Sequence, residues 1–415
     1  MTEIRAFKPY LVSAGAATTV VSPAYDSMSS SERLSYRQTH PQNYINVMRT
    51  TDDFPEGERP SESRITAENI EELQKLHDSG AFTLCKKEGV FVYQVEIDGH
   101  TQTGIVAEIP IKEYGTGVVR KHEETRKEHE TRKEHELRLV SYLNDVGASS
   151  SPVCLAYKSR VDIDGVVDKV FLDDPLLDFD LPDGLRQKLW QITDADTLAQ
   201  LREGFSNVAA TYLTDGHHRA ASTLRYAADC HAKGKGDGPW DYLLVVMFPA
   251  EQLRVLPFNR CVRDLGSITE DQLLDQIKTH FLLEPVPAKE SSLPQRRGEF
   301  LMLVDDHAYQ LTRRTDSESS SPVKSLDVSF LQDYLLAPIL GIQDARGDPR
   351  LDYVTGDSGL AGLIQRSQQG WRLGFACYPT SMEELMAVAD AGEVMPPKST
   401  CFDPKPRSGL FLKMS

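Results

Sequence analysis

Asp215, Gly216, His217, His218 and Arg219 stand in a row in the stretch VAATYLTDGHHRAASTLRYAADCHA. The apolar run before them predicts a strand, and the Ala-rich, Leu-spaced run after them predicts a helix. A glycine at that joint lets the backbone turn sharply and lets a ligand approach it closely. The first N–H groups of a helix have no partner within it and carry the positive end of its dipole, which suits an anion. His217 and His218 add side-chain donors, and Arg219 can grip a phosphate or carboxylate with two parallel hydrogen bonds. The plainer alternative is that Asp215 caps the helix and the imidazoles lie on the surface.

A near copy, Asp98-Gly99-His100-Thr101, reads differently. Alternating runs flank Asp98-Gly99 in GVFVYQVEIDGHTQTGIVAEIPI, and Asp-Gly between such runs signals a tight hairpin. No helix starts there, so no ring of N–H groups is offered. His122, His129 and His135 are seven and six residues apart, which is not the HExxH spacing of a zinc helix. Gly356, Ser358 and Ala361 lack the glycine pair of a nucleophile elbow.

The six cysteines form no CxxC pair, and the start MTEIRAFKPY does not read as a signal peptide, so a reducing cytoplasm is expected. No apolar run approaches the ~20 residues of a membrane span. The net charge of -16 disfavours a nucleic-acid or anionic-membrane partner.

The elements that must hold the Asp215–Arg219 loop read as a mixed α+β fold without regular βαβ alternation. Helices are expected in ERLSYRQ, over residues 66–80, as one long charged helix over residues 118–147, over 194–205, and over 267–286. Strands are expected in NYINVMR, SPVCLAYKS, VVDKVFL and WDYLLVVMFPA, with a second hairpin over 298–314. LRVLPFNRCVRDL is expected to run out to an edge or loop. The chain is read as a core over 1–312 that carries the loop, a polar linker over 313–325, and a C-terminal segment over 326–415 packed on the core.

DGHHR after a strand resembles the signature of the proteins grouped as domain of unknown function family 1015. VVSPAYD is similar to that family's Pro-x-Tyr-Asp segment, with Ser22 and Ala24 in place of prolines. RKHEETR resembles its His-Glu-x-Thr segment, and VLPFNR its Leu-Pro-Thr-His-Arg segment, with Phe258 and Asn259 as departures. LDVSFLQDYLLAPILG and VADAGEVMPPKSTCFDPKPRSGL are similar to its C-terminal part. The loop also resembles phosphate loops of the ParB and sulfiredoxin-like superfamily, which includes kinases of free L-serine whose signature reads closer to DGHTR.

The resemblance implies phosphoryl transfer from a nucleotide or pyrophosphate to a small hydroxyl compound such as serine. On that reading Gly216, His217, His218 and Arg219 hold the donor, and Asp215 binds Mg2+ or takes the substrate proton. Glu123 is the candidate base, with His122 beside it. Arg126 and Arg260 would bind a carboxylate or phosphate, and Asp26 would complete the metal or substrate site. Lys398 resembles a family position but reads as a surface lysine. The alternative is a nucleotide-responsive binding protein without catalysis, and a third reading is a structural protein with a vestigial anion site. The oligomeric state is left open.

Overall fold

The Asp98-Gly99 turn forms as its chemistry dictates. Both residues have positive φ, 51° and 74°, and they join the antiparallel strands Val90–Ile97 and His100–Pro110. The computed structural model describes every residue except Glu56, residues 124–129, 288–291 and 315–320, and Ser415; for Asp26 and residues 130–135 it describes the backbone only.

The chain forms two units. The first comprises Met1–Arg120, Thr125–Leu253 and Pro404–Ser415, and the second Lys121–Glu124 and Arg254–Asp403. In the first unit the hairpin sits within an eight-stranded mixed sheet. Its order is Val119–Arg120, Thr211–Asp215, Val153–Tyr157, Tyr242–Pro249, His100–Pro110, Val90–Ile97, Arg186–Ile192 and Leu177–Asp180. Thr211–Asp215 runs parallel to Val119–Arg120 and antiparallel to Val153–Tyr157. Successive side chains alternate faces. Val92, Ile105, Leu155, Leu213 and Val245 point to one face. There they pack with Ile163 and Val166 of the helix Val161–Val170, Leu201 and Phe205 of Ala195–Ser206, and Ala220 and Ala227 of His217–Ala232. Phe91, Tyr93, Val106, Cys154 and Phe248 point the other way. They meet Phe7, and Val12, Phe82 and Phe411 of a small sheet in which the C-terminal strand Phe411–Met414 pairs with Tyr10–Val12. Burying each of the Val, Leu, Ile and Phe side chains among them contributes about 1.5–3 kcal/mol.

The second unit is built on a six-stranded antiparallel sheet. Its order is Phe281–Val286, His307–Arg313, Glu299–Val304, Leu373–Cys377, Phe258–Val262 and Leu351–Thr355. Phe281, Phe300, Phe330 and Phe375 fill its core.

The whole is mixed α+β, as the sequence indicates. Several local readings are corrected. Val119–Arg120 is a short strand rather than the start of a long helix; Val119 is fully buried and pairs with Thr211, and the helix described downstream is Glu130–Asp145. VVDKVFL is mostly helical, because Ile163, Val166, Val167 and Val170 recur at helical spacing and fall on one core face. NYINVMR forms a 3-10 turn, Tyr44–Met48, with the Asn43 side chain accepting from the Ile45 N–H. Residues 267–286 divide into a helix, Glu270–Ile277, and the strand Phe281–Val286. Phe258–Val262 is an interior strand rather than an edge.

All six cysteines are free thiols. Among the described residues no helix is long and apolar enough to cross a membrane.

Candidate functional site

The strand Thr211–Asp215 breaks register between Leu213 and Asp215, against Val153–Tyr157. Thr214 Oγ1 donates to the Cys154 carbonyl at 3.0 Å and fixes that end of the strand. Gly216 then takes φ +94° and the helix His217–Ala232 begins. Its N-cap is Gly216, which has no side chain to cap with. Its ladder starts with Ala220 N donating to Gly216 O at 3.0 Å, so the N–H groups of His217, His218 and Arg219 precede the ladder.

Gly216 meets two demands. Its φ lies in the left-handed region, and a Cβ there would come 3.0 Å from the Arg219 guanidinium. That guanidinium folds back over the turn. Its Nη1 donates to the carbonyls of Ser151 at 3.0 Å and Pro152 at 2.7 Å, and its Nη2 donates to Asp215 Oδ2. The other Asp215 oxygen, Oδ1, lies 2.9 Å from Lys405 Nζ.

One carboxylate is therefore shared between two cations. Burial alone would raise the Asp215 pKa, but Lys405 and Arg219 outweigh it and pull it down to about 2. The three groups sum to one positive charge. All three keep some exposure, with 16% of the Asp215, 19% of the Lys405 and 32% of the Arg219 side chain accessible, so a ligand can reach them. Cations beside a helix N-terminus oppose the dipole, and a bound anion relieves that repulsion. Cys154, on the neighbouring strand, is buried, and burial pushes its thiol up to about 12, so it stays protonated.

His217 is buried at the first helical position. His218 Nδ1 is 3.8 Å from Glu136 Oε1, and Ser222 Oγ donates to the His218 carbonyl at 2.6 Å. Asp215, Gly216, His217, His218 and Arg219 thus occur together at one end of one strand.

The strand–helix joint itself does not include the other residues singled out from sequence. His122 and Glu123 belong to the second unit. His122 is buried, its carbonyl accepts from Met395 N at 2.8 Å, and its ring is 3.5 Å from Thr400 Oγ1; Glu123 is exposed. Arg260 is buried in Phe258–Val262, where its guanidinium donates to the carbonyls of Phe258 and of Lys398, the latter at 3.1 Å. Lys398 Nζ lies 5.1 Å from the centre of the Phe258 ring. Arg126 lies outside the described residues. Asp26 sits in the 3-10 turn Tyr25–Ser27, and its side chain is likewise outside the description.

Sequence reading missed Lys405, and it missed the Ser151 and Pro152 carbonyls that orient Arg219. The signal for Lys405 was a lysine between two prolines in DPKPR, nearly half the chain away from the loop.

The loop does not make a divalent-cation site as it stands. Both Asp215 oxygens are capped by cations, whereas magnesium needs oxygen ligands in an octahedron. Among the described residues, the group of three side chains close enough to share a metal is His231, Asp237 and Asp241, at the opposite end of the same helix.

The chain belongs to the family described as Protein of unknown function (DUF1015), which matches residues 4–329. No curated protein matches it. Among solved structures it is similar to a free serine kinase in complex with AMP (12% identity, TM-score 0.36, 72% of this chain and 86% of that one). It is also similar to a conserved hypothetical protein from Pyrococcus furiosus (11%, 0.35, 73% and 93%) and to SbnI with C-terminal truncation from Staphylococcus aureus (11%, 0.37, 72% and 84%). Likeness at that level carries no functional argument.

Proposed function

We propose that the protein transfers a phosphoryl group from a nucleotide or pyrophosphate to a small hydroxyl compound, with free L-serine the first candidate. The donor phosphates bind at the Asp215–Arg219 joint. The observation that carries this reading is the shared carboxylate: two cations held by one Asp215, net positive, at the start of a 16-residue helix. The ParB/sulfiredoxin-like core belongs to the same proposal.

In the reaction the acceptor hydroxyl oxygen attacks the terminal phosphorus. The bond to the bridging oxygen breaks, and the shortened nucleotide or phosphate leaves with that oxygen. Catalysis of this kind is mostly positioning and charge neutralisation. The N–H groups of His217, His218 and Arg219, with the Arg219 guanidinium, hold the donor. The hydroxyl proton needs a base. Asp215, at about 2, is a poor one while both cations hold it. Glu123 keeps that role in the proposal, with His122 beside it, and Arg126, Arg260 and Asp26 remain proposed substrate contacts. Magnesium enters as the counter-ion that accompanies the donor phosphates, not as an ion caged by Asp215.

The test is a product screen. Purified protein with Mg2+ receives ATP, ADP or pyrophosphate, each with L-serine and other small hydroxyl compounds. Phosphoserine formed by the wild type and lost in Arg219→Ala supports the reading. No product with any pair, alongside phosphate-dependent thermal stabilisation, leaves a phosphate-responsive binding protein instead.

A further inference from the structure

Lys405 is assigned no role by the loop motif, yet it is placed on the loop's carboxylate. The segment that carries it is fastened on both sides. Pro404 O accepts from Gln102 Nε2 at 2.9 Å, and Gln102 is buried. Arg407 Nη2 is 2.6 Å from Asp183 Oδ2, Ser22 N donates to Ser408 O at 2.8 Å, and Gly409 N donates to Ser150 Oγ at 2.6 Å. Ser151 joins the two cationic arms: its carbonyl accepts from Arg219, and its hydroxyl pairs with the Ser408 hydroxyl. Arg219 and the segment that carries Lys405 are therefore both tied to Ser151, and both cations end on one carboxylate.

A lysine held this firmly, with a fifth of its side chain open, is poised for exchange. Asp215 offers two oxygens to two cations, the same chemistry a terminal phosphate offers. We propose that Asp215 is the site's internal counter-ion and that Lys405 is a phosphate-binding residue. When the donor arrives, its phosphate oxygens take Lys405 from Asp215, and Arg219 in part. This inference rests on the phosphate reading above and adds to it a second cation, from outside the motif, and a role for Asp215 other than base or metal ligand.

Binding of inorganic pyrophosphate to the whole protein, followed by calorimetry, tests it. Lys405→Met is expected to weaken binding about tenfold, the loss of one charge-assisted hydrogen bond. Lys405→Arg is expected to restore most of it, and Lys398→Met to leave it unchanged. Asp215 keeps Arg219 as partner in Lys405→Met, so the variant should fold. Asp215→Asn is the sharper arm: with the competing carboxylate neutralised, pyrophosphate is expected to bind several-fold more tightly, with or without Mg2+. Equal binding by Lys405→Met and the wild type would overturn the inference, as would weaker binding by Asp215→Asn. Both results leave the phosphate reading standing if the wild type binds. A wild type that binds no pyrophosphate, ATP or ADP would remove both.

Discussion

Lys405 lies 2.9 Å from Asp215, which the Arg219 guanidinium already holds through its other oxygen. A strand end, a helix start and a segment near the C-terminus therefore meet at one carboxylate, and the fold explains why. The strand Phe411–Met414 pairs with Tyr10–Val12, and residues 404–409 leave it along hydrogen bonds to Ser150, Ser22 and Gln102.

Gly216→Ala is expected to damage the loop twice over. The left-handed backbone costs an L side chain about 1–2 kcal/mol, and the new Cβ would press on the Arg219 guanidinium. Chemical denaturation should show the lost stability. Pyrophosphate affinity should fall with it, because Arg219 must shift from its place over the turn.

Asp215 makes a pH prediction. Its folded pKa of about 2 lies below its ordinary 3.8. The unfolded chain therefore takes up the proton first as pH falls. The stabilisation is present in full above 3.8 and is lost as pH drops towards 2. At neutral pH it is worth about 2 kcal/mol. Urea titrations of the wild type and Asp215→Asn should show a gap that narrows across this acid window.

Glu113 predicts the opposite slope. Burial pushes its carboxyl from 4.5 to about 7, although Oε1 accepts the Glu3 N–H at 2.7 Å. Here the folded state holds the proton that the unfolded state would release. Stability is greatest below 4.5 and declines as pH rises to 7. Glu113→Gln should gain on the wild type by roughly 2 kcal/mol between mildly acid and mildly alkaline pH. A melting-temperature difference that does not change with pH would count against it.

In the second unit, Asp327 pairs with Arg313 at 2.9 Å, and both side chains are more than nine-tenths buried. Asp327 also accepts the Gly298 N–H at 2.7 Å. Removing the acid strands a buried guanidinium, so Asp327→Ala is expected to cost about 3–5 kcal/mol. Differential scanning calorimetry reads that loss directly.

Local signals were legible wherever one residue type had a single structural use. Asp98-Gly99 specified its hairpin, and Gly216 between an apolar strand and an Ala-rich helix specified the loop. Short apolar runs were legible only in part: SPVCLAYKS and WDYLLVVMFPA are strands as read, but strand and buried helix look alike over seven residues. VVDKVFL became helical through packing of Ile163 and Val166 against Leu201 and Phe205, partners the sequence alone does not identify. Val119 joined a strand because Thr211 was there to pair with it. The loop's own residues could be read, but Lys405 could not. Its role depends on tertiary placement of a segment whose composition, Pro-Lys-Pro-Arg, reads as surface.

The most direct measurement is on the loop itself: the protein labelled with 15N at its 11 histidines, titrated with pyrophosphate and followed by backbone amide shifts. The account predicts that the amides of His217 and His218 move first and furthest, saturating at the affinity found by calorimetry, and that Arg219→Ala abolishes both shifts. Pyrophosphate that binds while the two amides stay still would contradict it, because the anion would then lie somewhere other than the start of this helix.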